Sequence, residues 1–116
     1  MFRTLTALAF SALTTFVAAQ DRTADTPEML ATATERTAVV DRTVSLNATQ
    51  KEEVNAMYVE VERYMAAIRQ RYAGQPQEVI DGDMPLQYAN MDRYVTDRLA
   101  TILTPEQYSR WQEANK

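Results

Sequence analysis

From Val54 onward, apolar side chains recur at Val54, Met57, Tyr58, Val61, Tyr64, Met65, Ile68 and Tyr72. This is the i, i+3, i+4, i+7 spacing of one helix face. Charged residues take the other faces, with Glu52, Glu53, Glu60 and Glu62 leading and Arg63, Arg69 and Arg71 trailing. Acids first and bases last oppose the helix dipole. Asn47 stands at the N-cap position, and Gln50, three residues on, can reach back to its backbone in a capping box. Gly74-Gln75-Pro76 closes the run. A helix over 48–73 would be roughly 39 Å long at about 1.5 Å per residue. That exceeds the width of a compact domain of this size and favours an elongated bundle or a dimer. The triplet Asn47-Ala48-Thr49 also matches a glycosylation sequon, but Asn47 reads better as a cap.

The rest of the chain is punctuated in the same way. Thr26-Pro27-Glu28 is a helix start, with a good cap, a proline suited to the first helical position and an acid in the first turn. Met29, Leu30, Ala33, Thr37 and Val40 follow at helical spacing. The segment from Gly74 through Asp81-Gly82-Asp83 is predicted to be a loop, with Pro85 opening the next helix. Leu86, Met91, Tyr94, Val95, Leu99 and Ile102 form the stripe of that helix. Thr104-Pro105-Glu106-Gln107 is a second capping box, with Leu103 and Tyr108 placed as a hydrophobic staple. Tyr108 and Trp111 are the apolar face of a last short helix. No run alternates as a strand does. The expected class is all-α, an elongated antiparallel hairpin or bundle of about four helices.

The 116-residue chain has no Cys, no His and only two Gly. Thiol nucleophiles, disulfides, Ser-His-Asp triads and Cys/His zinc sites are thereby excluded. Two glycines cannot build a P-loop or a dinucleotide fingerprint. The expectation is a protein that is not an enzyme. Arg3, the apolar stretch Leu5 to Val17 and the small residues Val17-Ala18-Ala19 read as a secretory signal peptide over 1–19. The apolar stretch is too short for a span of about 20 residues. Residues 20–25 then form a flexible leader and 26–116 a single helical domain. Arg3 would leave with the signal while all 16 acids remain, so the exported chain is more acidic than the −4 of the whole. An acidic chain of interspersed signs does not suit nucleic acid, and no membrane span is expected after cleavage.

The two capping boxes share a pattern. Leu46-Asn47-Ala48-Thr49-Gln50 and Leu103-Thr104-Pro105-Glu106-Gln107 both read Leu, Asn or Thr, two variable residues, Gln. The pair resembles the LTxxQ motifs of the Spy/CpxP-like family of small periplasmic helical proteins. The second copy matches in full. The first carries Asn47 in place of Thr, and Asn caps a helix equally well. The likeness runs over about residues 26 to 113. It implies an antiparallel helical fold, often a dimer shaped as a thin curved cradle, in the periplasm. It also implies ATP-independent binding of unfolded or stressed envelope proteins, or inhibition of one envelope regulatory protein. The motif residues Leu46, Asn47, Gln50, Leu103, Thr104 and Gln107 would act structurally, setting how the chain enters its helices.

Methionine adapts its shape and suits promiscuous surfaces. Met57, Tyr58, Met65, Met91 and Tyr94 are therefore the candidates for client binding, against the plainer reading of the same residues as core. No cofactor is expected. Asp81-Gly82-Asp83 could offer oxygen ligands to a metal-responsive stress sensor but lacks EF-hand spacing, so no metal site is assigned. Glu52-Glu53 and Glu60-Glu62 read as a solvated face rather than a catalytic acid pair.

Overall fold

The computed structural model describes residues 24–116. The expected signal peptide over 1–19 lies outside the described residues, as does most of the leader. Among the described residues every regular element is a helix: α1 Pro27–Val44, α2 Ala48–Tyr72, α3 Gln77–Ile102 and α4 Pro105–Ala114.

α1 begins where its cap dictates. The Thr26 hydroxyl accepts from the Met29 amide at 3.1 Å, with Pro27 in the first turn. Met29, Ala33, Thr37, Val40 and Val44 form its buried face, four or three residues apart. Thr37 is tolerated there because its hydroxyl donates to the Ala33 carbonyl at 2.8 Å. The helix stops at Ser45, which turns into the left-handed region with φ 60° and donates its amide to the Asp41 carbonyl at 2.8 Å. The Asp41 carboxylate then accepts the next amide, Leu46 N–H, at 2.8 Å. That bond, reinforced by Lys51 Nζ at 3.4 Å, holds the Asp41 carboxyl below its ordinary value.

α2 is the central element. It packs most extensively on α1 and also on α3, while α4 folds back over α1 and touches α3. α1 and α3 do not pack directly on one another. Ala33 and Val54, both fully buried, let α1 and α2 approach closely. Met57, Val61, Leu99 and Leu103 complete the centre of the core. Outside the core, Asp25 receives two bonds of 2.8 Å from Arg63, tying the chain ahead of α1 to the middle of α2.

The expected loop through Asp83 and the expected start at Pro85 are both corrected. After Gly74, whose φ of 80° makes the turn, helix resumes at Gln77 and runs through Gly82 and Pro85. α3 is thus the longest helix at 26 residues, one more than α2. Proline fits helical φ, but Pro85 removes the amide bond to the Asp81 carbonyl and crowds that carbonyl with its ring. Asp81 and Pro85 are both exposed, so that carbonyl is open to solvent. Side chains tie the segment down instead. Tyr72 donates to Asp83 at 3.0 Å, Tyr64 bonds Gln87, and Gln77 donates to Asp81 at 2.8 Å.

Candidate functional site

The six motif residues meet at one junction, in which Gln50, Leu103 and Gln107 are buried, Leu46 is half-buried, and Asn47 and Thr104 are exposed. Asn47 accepts from the Gln50 amide at 2.8 Å and Gln50 Oε1 accepts from the Asn47 amide at 3.0 Å. Thr104 and Gln107 repeat this at 3.2 and 2.9 Å. The two glutamine side chains then meet face to face. Gln50 Nε2 donates to Gln107 Oε1 at 2.7 Å, and Gln107 Nε2 donates to Gln50 Oε1 at 3.1 Å. Each amide has one hydrogen left, and each gives it to the end of the helix that precedes the other motif. Gln50 Nε2 reaches the Ile102 carbonyl at 3.3 Å, and Gln107 Nε2 reaches the Ser45 carbonyl at 3.1 Å. One residue type thereby caps a helix start, answers a helix end and joins the two turns. Leu103 is buried and Leu46 half-buried against the core beside them. No buried side-chain N or O among the described residues lacks a partner. The junction is closed and carries no group poised for chemistry.

The client-binding candidates divide. Met57, Tyr58 and Met91 are largely buried, at 2%, 8% and 9% exposure, although Tyr58 and Met91 each keep a share of the wall of an open groove. α2 is covered by α1 on one flank and α3 on the other, so its stripe is spent on packing. Met65 and Tyr94 are half-buried at the rim of that core. The five do not form one exposed face.

What the structure leaves open is the space between α1 and α3. The two helices flank α2 without touching, and a groove of about 530 Å³ lies between them. Val39 and Val40 line it from α1, Met91 and Val95 from α3, Tyr58 from α2, and Trp111 from α4. Val39 is 48% exposed. The Arg36 guanidinium lies 5.9 Å from the centre of the Tyr58 ring, a cation–π distance. Burial pushes the Tyr58 phenol above its ordinary pKa, only partly offset by the charge of Arg36, so it stays a neutral phenol. Trp111 stacks on Tyr108, with ring centres 5.8 Å apart. The larger share of the groove wall is aliphatic and aromatic, while Arg36, Asp92, Thr43, Thr96 and Asn115 add polar and charged groups of both signs. This suits an apolar segment of another molecule, whose burial contributes about 25 cal/mol per Å².

Sequence reasoning had Val95 and Trp111 as stripe residues and missed Val39 altogether. Nothing in the spacing of α1 singles Val39 out, because the groove arises from how far apart α1 and α3 are set. No group of three or more Asp and Glu that could hold a metal ion occurs among the described residues. No helix among them is long and apolar enough to cross a membrane. Comparison with protein families, with curated proteins and with solved structures finds no match to this chain.

Proposed function

We propose that this protein is a Spy/CpxP-like LTxxQ protein, exported to the periplasm. In this reading it binds apolar segments of unfolded or stressed envelope proteins without ATP or catalysis. The observation that carries the reading is the open groove between α1 and α3, whose walls are aliphatic and aromatic over the larger share and polar over the rest. The paired Leu-(Asn/Thr)-x-x-Gln boxes support the family assignment, and the export reading follows from the signal-like residues 1–19. Reversible capture needs modest burial: one or two Leu or Phe side chains in the groove contribute about 1.5–3 kcal/mol each. The acidic surface keeps the complex in solution.

The test is light scattering of an aggregating client protein mixed with the purified chain in the absence of ATP. Suppression is expected near stoichiometric ratios. Val39→Asp, a change at a half-exposed helical position, is expected to weaken it about tenfold by placing a charge on the apolar share of the groove wall, with helicity unchanged. Absence of suppression by a folded sample, together with a one-to-one complex on crosslinking, would assign the groove to a single dedicated envelope partner instead.

A further inference from the structure

Met91 also lines a second cavity, of about 230 Å³, between α2 and α3. Its other walls are Glu60, Val61, Tyr64, Asn90 and Tyr94. Two phenol rings, a thioether and a valine therefore surround one carboxylate. Glu60 Oε2 accepts from the Tyr94 hydroxyl at 3.0 Å, which fixes the carboxylate against the cavity wall and leaves Oε1 available. Glu60 joins none of the ion pairs among the described residues. Arg63, the cation nearest it along α2, is bound to Asp25 and feels the Glu60 charge only at longer range, while Arg98 acts on the Tyr94 phenol. Arg98 stands in an adjoining cavity that shares Glu60 and Tyr94, lined also by Ala56 and Met57.

The chemistry of these walls selects among ligands. An anion is repelled by Glu60. A purely apolar group matches the walls but desolvates a carboxylate oxygen with nothing to pair it. An organic cation satisfies both, since aromatic faces attract positive charge and the carboxylate neutralises it. Guanidinium fits better than ammonium, because its flat face stacks on rings while its edge forks to carboxylate. Asn90 is a further polar residue at the same wall. We infer that this cavity receives the arginine side chain of a polypeptide partner.

The inference rests on the reading of this chain as a polypeptide binder but uses a different surface from the groove. Its test is fluorescence anisotropy with a labelled short peptide holding one arginine flanked by leucines. The control is its twin with citrulline, the neutral isostere, in place of arginine. The arginine peptide is expected to bind about fivefold more tightly than the citrulline peptide. Glu60→Gln, at an exposed position, is expected to abolish that ratio. Equal binding of the two peptides, binding of neither, or an arginine preference that survives Glu60→Gln would overturn the inference. A preference that persists while scattering suppression is absent would count against the groove alone.

Discussion

At the scale of single residues, Gln50 and Gln107 do the most. Each is 8% exposed; its amide oxygen accepts once from its own turn and once from the other glutamine, and its amide nitrogen donates to the other glutamine and to the helix end across from it. Removing one leaves the partner's amide and a helix-end carbonyl unanswered in a buried place, and each such group costs about 1–3 kcal/mol. Gln107→Ala and Gln50→Ala are each expected to lose about 2 kcal/mol in urea unfolding. The double variant should lose clearly less than the sum, because the bonds between the amides can be broken only once. Additive losses would show that the two glutamines act separately. Asp41 makes a different kind of prediction. Its carboxyl is held below the ordinary value by the Leu46 amide first and by Lys51 after it. A group lowered on folding contributes stability above its unfolded pKa and loses it as pH falls through the folded one. Asp41→Ala is therefore expected to be less stable than the parent at neutral pH. The gap should close as the pH is lowered from about 4 through the acid range. A gap constant with pH would contradict the role given to the carboxylate.

At the scale of elements, the helix starts were legible and one stretch of helix was not. Thr26, Asn47 and Thr104 announce α1, α2 and α4 because a capping side chain acts within three residues and needs no tertiary partner. The first turns of α3 carry no such signal: Pro76 precedes them without a side-chain cap bond. Gly82 and Pro85 argue locally against helix there. Bonds from Tyr64 and Tyr72 on α2 hold the segment instead, and those are long-range contacts that periodicity cannot reveal. This segment should accordingly be the least protected part of the four helices. Hydrogen exchange is expected to be faster over 77–88 than over 91–102. Pro85→Ala, which restores an amide and removes a clash, is expected to slow it. Equal protection along α3 in the parent would contradict the account. The turn before it makes a simpler case. Gly74 sits at φ 80° with open space around its Cα. Gly74→Ala should cost about 1 kcal/mol from backbone strain alone.

At the scale of the whole molecule, the bundle has too few helices to enclose every apolar stripe. α2 is sandwiched by α1 and α3, which are held apart from one another, and α4 closes only one end of the gap between them. That is why Met57 is core in the structure, while Tyr58 and Met91 are largely buried and still line the groove. A helix stripe reports burial but not what provides it, and the surface left open depends on the angles between helices. Those angles are set at the two turns that Gln50 and Gln107 join, so the junction and the groove are parts of one arrangement. If the groove captures unfolded polypeptide, as proposed, a reactive group placed in it will reach the bound chain. The direct measurement is site-specific photo-crosslinking to an unfolded client, with the reactive group placed at Val39 in the groove and, separately, at the exposed Gln70 on α2. The account predicts strong adducts from position 39 that are lost when the client is folded, and none above background from position 70. Adducts of equal strength at both positions, or at position 70 alone, would contradict it.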